Sequence, residues 1–278
     1  MWILTMETTG PMASVAIINE EGAIWEKVGE KGYNHLTSLI PMTKSLLEEN
    51  ALVPGDISAV AASVGPGSFT GIRIGVSTAR AFSQSMGIPC ISIPTLQTFL
   101  YNGKGDKGGN EDKDDKGGNE DKDDKDGKDG KDGNEGKEYQ ECNEDQRMLV
   151  CPIIDARRDQ LYGAAFYKGK TLVEEAAYSL GDYLERIGSL ERGHWKEAIF
   201  YGDGISRYGD SIKVWAKEMG IRISFADEDR RYQRARWGAL IAKEGWDKGM
   251  FLSYNELMPQ YMRLAEAEQK LKAGTLHV

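Results

Sequence analysis

The chain has 278 residues, of which 40% are hydrophobic and three are cysteines, and its formal net charge at pH 7 is −9. This length allows one large domain or two of ordinary size. Because the sequence has no run of about 18 apolar residues, no transmembrane helix is expected. Cysteines without CxxC spacing favour the reducing cytoplasm, and three histidines without an HxxxH pair argue against a metal site.

Short apolar segments near the amino terminus predict a meander of strands at residues 2–7, 12–18 and 23–28. Glu7 and Thr8 follow one another where the first strand ends. An acidic residue followed by hydroxyl groups at such a place can hold phosphate or magnesium. A polar hairpin turn without a ligand explains the pair equally well, and the segment by itself leaves both interpretations open.

Apolar residues recur at helical spacing from His35 to Asn50 and predict the first helix, with Asn34 as its cap and Pro41 as the site of a kink. His35 stands at the start of this helix. A single histidine in that position is more typical of a capping or hydrogen-bonding group than of a metal ligand.

A glycine-rich turn joins a predicted strand at residues 60–64 to a second helix. Paired glycines permit positive φ and close approach of another group, and the first turn of the helix offers N–H groups and the positive end of its dipole. These features suit an anion or a partner's carboxylate, and a tight turn without a ligand is the alternative. The spacing is neither that of a Walker loop nor that of a Rossmann fingerprint. The candidate residues are Gly65, Gly67, Ser68, Thr70 and Gly71, with Ser68 or Thr70 as the helix cap.

A strand at residues 88–93 and a helix from Pro94 complete the order βββαβαβα, which is that of a ribonuclease-H-like domain with a mixed sheet and helices on both faces. We assign this amino-terminal lobe to residues 1–102. Residues 103–146 then contain nine lysines and seventeen acidic residues, and the segment GGNEDKDDK occurs twice in succession. Because almost nothing apolar is present to be buried, we expect a disordered charged insertion, and the rest of the chain is close to neutral.

Residues 147–278 predict a second lobe that opens with the same meander. Strands are expected at residues 148–154, 161–167 and 171–174, followed by helices and strands in alternation and a helix at residues 231–249. We expect the terminal helix beyond Pro259 to pack back on the amino-terminal lobe. The repeated order indicates two lobes about a hinge.

Four motifs in this order resemble the TsaB family, also called YeaZ: Glu7-Thr8-Thr9, GPGSFTGIRIG at 65–75, DARRDQLY at 155–162 and PQYMR at 259–263. The resemblance covers the chain except for the insertion. It implies an α/β, actin-like ATPase (ribonuclease-H-like) fold with two lobes, each a mixed β-sheet flanked by helices, and weak or absent catalysis. It further implies a non-catalytic subunit in the formation of threonylcarbamoyladenosine on tRNA, next to the anticodon.

The resemblance also implies partners. These are the transferase TsaD as a heterodimer, the ATPase TsaE in the same complex, a second copy as a homodimer, and tRNA only through the complex, with no membrane involved. The expected partner surface is the helix that starts at His35 together with the helix after the glycine-rich turn. Its residues are His35, Leu39, Phe69, Arg73, Ser77 and Arg80.

The chain departs from TsaD-like enzymes in one feature that bears on catalysis. Those enzymes carry a metal-binding pair of histidines after the next strand, and here that region, residues 88–100, contains no histidine. We therefore expect no catalytic residue, no metal and no required cofactor, and leave weak ATP or ADP binding open. Peptidase activity has no nucleophile–base pair or metal motif to support it.

A stand-alone nucleotide-binding or nucleotide-hydrolysing enzyme of the sugar-kinase type is the alternative, with phosphate on Glu7 and Thr8 and Asp155 as the general base. Asp155 and Arg157 have two further interpretations. They belong either to a salt-bridge set between the lobes or to a surface that meets TsaE, nucleotide or tRNA, and the sequence does not separate these.

Overall fold

The computed structural model describes residues 1–32, 34–102, 148–191 and 195–262. The predicted insertion at 103–146, Arg263 and the predicted terminal helix lie outside the described residues. Within this part of the chain, no helix combines the length and the apolar character that crossing a membrane would need.

The first sheet is five-stranded and mixed, with the order β3-β2-β1-β4-β5. Its strands β1 and β4 are almost entirely buried, as their nearly continuous apolar sequences predict for strands covered on both faces. β1, β2 and β3 form the antiparallel meander, and β4 and β5 add to β1 in parallel. The strands are β1 (Trp2–Glu7), β2 (Ser14–Asn19), β3 (Ile24–Val28), β4 (Ala59–Gly65) and β5 (Cys90–Pro94).

The second sheet repeats this arrangement with the order β10-β9-β6-β7-β8. Its first three strands again form an antiparallel meander, and β9 and β10 again run parallel to the first strand of the set. The predicted actin-like fold with a mixed sheet in each lobe is therefore confirmed. The strands are β6 (Met148–Arg157), β7 (Gln160–Tyr167), β8 (Lys170–Ser179), β9 (Glu197–Tyr201) and β10 (Arg222–Phe225).

The predicted helices are present, with two differences. The helix predicted from Pro94 is a 3₁₀ helix at Thr95–Leu100. The helix predicted at 231–249 begins only at Ala235, because Tyr232 and Arg234 are extended where the chain passes from one lobe to the other. The α-helices are α1 (His35–Glu49), α2 (Phe69–Met86), α3 (Leu180–Gly188), α4 (Ile205–Met219), α5 (Glu228–Arg231) and α6 (Ala235–Asp247).

Helix α6 belongs to the first sheet and not to the second. Its buried alanines, Ala235, Ala239 and Ala242, pack on Ile3 and Ile93 in one apolar cluster. The small side chains let the helix lie close to the strands. The predicted carboxyl-terminal lobe at 147–278 is thus corrected: the second lobe ends near residue 231, and the chain returns to the first lobe from residue 235.

The two lobes share an apolar contact as well as the chain crossings. Leu96 and Phe99 of the 3₁₀ helix pack with Ile154 and Tyr201 of the second sheet. In addition, the buried Asn102 donates from its Nδ2 to the Arg230 carbonyl oxygen over 2.7 Å. These contacts join the second sheet to the first lobe.

Candidate functional site

The glycine-rich turn is packed against the connection that follows β1. Ser68 N–H donates to the Thr9 carbonyl oxygen over 2.8 Å, and Thr8 Oγ1 donates to the Gly71 carbonyl oxygen over 2.7 Å. A Cβ on Gly67 would lie 2.6 Å from Thr9 Cβ, and one on Gly71 would overlap the Thr8 carbonyl oxygen. The glycines are therefore needed for close contact with the chain's own backbone.

Glu7 is an internal hydrogen-bond acceptor. Its side chain is 1% exposed; Oε1 accepts from Thr9 N–H and Thr9 Oγ1, each over 2.5 Å, and Oε2 accepts from Ser63 Oγ. Burial raises the pKa of Glu7 above its ordinary value, although these hydrogen bonds act in the opposite direction. The carboxylate is thus held within the fold and is not directed at a ligand.

The other residues predicted to bind an anion are Ser68, Thr70 and Gly65, and each has a different environment. Ser68 caps α2 by accepting from Gly71 N–H over 3.2 Å, as predicted, and Thr70 is exposed in the first turn of the helix. A Cβ on Gly65 would overlap the carbonyl oxygen of Gln260, whose N–H donates to Val64 over 2.8 Å. The structure therefore brings Glu7 and Thr8 to the turn as expected, but fills the space beside the glycines with backbone.

The two residues of the predicted partner surface on α1 need correction. His35 is 2% exposed and Leu39 is 1% exposed, so neither side chain offers area to a partner. His35 Nε2 lies 3.0 Å from the Gly10 carbonyl oxygen, and burial lowers the pKa of the imidazole. It is the hydrogen-bonding group that its position predicted. The apolar side chains that α1 does expose are Leu36 (76%) and Ile40 (57%).

On α2 the predicted residues do reach the surface. Phe69 is 40% exposed, Arg73 and Ser77 are exposed, and Arg80 is half-buried. The Arg73 guanidinium lies 3.9 Å from the centre of the Phe69 ring, and its Nε donates to the hydroxyl of Tyr261 over 2.9 Å. The sequence reasoning missed this neighbour, because Tyr261 is 188 residues away along the chain.

Asp155 and Arg157 lie in a cleft of about 430 Å³ between the lobes. Asp155 Oδ1 is 3.6 Å from Arg207 Nη1, and its backbone N–H donates to Asp203 Oδ1 over 2.9 Å. Burial raises the pKa of Asp203. The sequence indicated only a turn at Asp203 and no role for Arg207. The lining residues are Pro11, Lys31, Gly32, Asp155, Arg157, Asp203, Ser206, Arg207 and Tyr232.

Two further observations concern metal binding and a second cavity. Within the described ranges, no three or more histidine, cysteine, aspartate or glutamate side chains are grouped so that they could hold a metal ion. A second cavity, of about 450 Å³, lies between the end of α2 and residues 251–254, and it is lined by none of the predicted site residues.

Comparisons with known proteins agree with the architecture. The family model of TsaD, described as tRNA N6-adenosine threonylcarbamoyltransferase, matches residues 29–112. The Bacillus subtilis tRNA threonylcarbamoyladenosine biosynthesis protein TsaB is 26% identical over 97% of both chains. The Escherichia coli protein of that name is 34% identical over 35% of this chain and 42% of its own length.

Solved structures show the same fold over nearly the whole length. A crystal structure described as an uncharacterized protein with similarity to peptidase YeaZ, from Pseudomonas aeruginosa, has a TM-score of 0.66 at 20% identity, and covers 94% of this chain and 99% of its own. A second structure, YeaZ from the same organism, has a TM-score of 0.63 at 18% identity and the same coverage.

Proposed function

Because this chain belongs to the TsaB family, also called YeaZ, we propose that it is a non-catalytic scaffold subunit in the biosynthesis of threonylcarbamoyladenosine on tRNA. In this proposal it pairs with TsaD and activates it, and the ATPase TsaE joins the complex. The chain works in the cytoplasm and meets tRNA only through the complex. Homodimers form through the surface that otherwise binds TsaD.

The observation that carries the proposal is the packing of the glycine-rich turn. A phosphate at this place would need the N–H groups of the turn and space beside the glycines. That space contains the backbone of Thr8, Thr9 and Gln260, and the Glu7 carboxylate accepts three hydrogen bonds from its own neighbours. This packing leaves little room for a phosphate beside the glycines, which supports a role without catalysis.

The exposed face of α2 supports the pairing. Aromatic side chains and arginine are enriched at the centres of protein interfaces, and Phe69, Arg73 and Tyr261 form such a group on the surface. Residues 29–112, which match the TsaD family model, include both α1 and α2. A TsaD chain would thus have helices that correspond to α1 and α2. The amino-terminal lobes of the two proteins could then pair as two copies of one lobe would.

The test is reconstitution with TsaD from the same organism. We expect the two proteins to co-purify, and threonylcarbamoyl transfer to tRNA to require this chain while the chain alone transfers nothing. A control variant, Leu172→Ala, removes a 40% exposed side chain on β8, in the second lobe, and should leave transfer unchanged. Full transfer by TsaD without this chain would contradict the proposal.

Weak ATP or ADP binding, and with it a stand-alone nucleotide-hydrolysing enzyme, is the second candidate. The cleft between the lobes favours it, since it is large enough for a small molecule and contains Asp155 and Asp203. Against catalysis, Asp155 is paired with Arg207 and Arg157 and so is poorly placed as a general base. Titration calorimetry with ATP and a phosphate-release assay on the purified chain decide the matter: sustained turnover by the chain alone would favour the enzyme.

A further inference from the structure

The segment at residues 257–261, here called the strap, runs along the face of α2 that the proposed pairing uses. Leu257 anchors it, with 0% exposure in the core of the first lobe. Gln260 N–H donates to the Val64 carbonyl oxygen over 2.8 Å, so the strap is hydrogen-bonded to the end of β4. Gly65, with φ of +127°, leaves room for the Gln260 carbonyl oxygen where any Cβ would overlap it. The strap is thus a fixed part of the surface.

At the end of the strap, Tyr261 joins Phe69 and Arg73 in one cluster. The rings of Tyr261 and Phe69 have centroids 4.8 Å apart, and the Arg73 guanidinium lies over Phe69 while its Nε bonds to the Tyr261 hydroxyl. Both rings are 40% exposed. A long arginine side chain loses rotamer freedom when it binds, and this arrangement removes much of that freedom beforehand.

The composition of this surface selects the kind of partner. Its arginines would pair with carboxylates of a partner, and its aromatic rings would pack on apolar side chains of that partner. The patch consists of Phe69, Arg73, Ser77, Arg80, Met258 and Tyr261, and has two arginines and no acidic residue.

We propose that Tyr261 is a partner-binding residue that positions Arg73 and Phe69, and that α2 and the strap together form one interface for the amino-terminal lobe of TsaD. This inference rests on the proposed function, and adds to it a residue outside both predicted helices. It also gives Gly65 a role, because the glycine admits the strap that carries Tyr261.

The test measures the affinity of the full chain for TsaD from the same organism by biolayer interferometry. Tyr261→Ala removes the ring and the hydroxyl and should raise the dissociation constant at least about tenfold. Tyr261→Phe keeps the ring and should raise it about threefold, through the lost hydrogen bond to Arg73. Leu172→Ala, at 40% exposure in the second lobe, is the matched control and should bind as the wild type does.

A double-mutant cycle separates positioning from simple contact. If Tyr261 acts through Arg73, then Tyr261→Phe should cause no further loss in a chain that already carries Arg73→Gln. Thermal unfolding of each variant confirms that the fold is intact, and Tyr261→Phe keeps the test valid should Tyr261→Ala destabilise the strap. Wild-type-like or tighter binding by both Tyr261 variants would overturn this inference alone, and additive losses in the cycle would overturn the positioning role. A wild-type chain that binds no TsaD would overturn the proposed function as well.

Discussion

The two sheets have the same strand order, yet the connection that follows the first strand is buried in one lobe and exposed in the other. After β1, the chain forms a buried connection at residues 8–13, and the acidic Glu7 at its start is 1% exposed. After β6, a two-residue turn carries the charged Arg158 and Asp159, and the Asp159 side chain is 93% exposed. The connection after the first strand is thus buried in the first lobe and exposed in the second. The same strand order therefore does not give the two lobes the same kind of site.

The connections from the fourth strand to the following helix are alike in both lobes. A Cβ on Gly71 would overlap the Thr8 carbonyl oxygen, and one on Gly202 would overlap the Ile153 carbonyl oxygen. Gly204 N–H donates to that same oxygen over 3.1 Å. In each lobe a glycine lets a helix start close to the first strand, so this feature serves the fold in both, whatever the neighbouring connection does.

The largest effect is expected from Gly71→Ala, which tests whether the first lobe is closed by backbone packing. The new Cβ would overlap the Thr8 carbonyl oxygen, and we expect a loss of about 2–3 kcal/mol in the free energy of unfolding, measured by urea denaturation. Gly55→Ala is the matched control, because no atom lies within 4 Å of its Cβ position. Equal stability of both variants would mean that the turn is open enough for a ligand.

A smaller effect is expected from Glu7→Gln, which tests burial of the acidic residue in the closed connection. The amide accepts fewer of the three hydrogen bonds, at a cost of about 1–2 kcal/mol. Because burial raises the pKa of Glu7 above 4.5, the stability linked to this group is present below pH 4.5 and is lost as the pH rises through the raised pKa. The stability of the wild type relative to the variant should therefore fall with rising pH.

The control for this pH dependence is Glu49→Gln. The exposed Glu49 has its pKa lowered by hydrogen bonds from Lys27 and Ser45, so its contribution is present above pH 4.5 and is lost as the pH falls. Denaturant titrations on both sides of pH 4.5 should give slopes of opposite sign: the stability difference for Glu49→Gln changes below pH 4.5, and the difference for Glu7→Gln changes above it. If the difference in stability between the wild type and Glu7→Gln did not change with pH, the Glu7 carboxylate would be in contact with water.

The smallest effect is expected at the open connection. Arg157, Arg158 and Asp159 have φ of 64°, 51° and 58°, a conformation that disfavours residues other than glycine. Asp159→Gly relieves part of this strain and loses only an exposed pair with Arg207, so thermal unfolding should show a gain of up to about 1 kcal/mol. Asp159→Asn is the control that removes the charge alone. A loss of stability in the glycine variant would mean that the pair with Arg207 holds the turn.

The order of strands and helices could be predicted from the sequence because each element carries its own pattern. Apolar runs such as β4, and a helix with a serine cap and a carboxyl-terminal glycine such as α2, are specified by neighbouring residues. The start of α6 was predicted four residues too early. Arg231 ends the short helix α5, and Tyr232 and Arg234 are extended because the chain passes there from one lobe to the other.

The candidate site divides in the same way. The sequence by itself determined the two mixed sheets, the exposed face of α2 and the resemblance that names the family, since these depend on local periodicity and on motifs. Tertiary structure alone decided that His35 and Leu39 are buried, that the glycines lie against the backbone of Thr8, Thr9 and Gln260, and that Tyr261 contacts Arg73. The physical reason is that burial and contact depend on residues far apart in the chain, and no local pattern records which of them will meet.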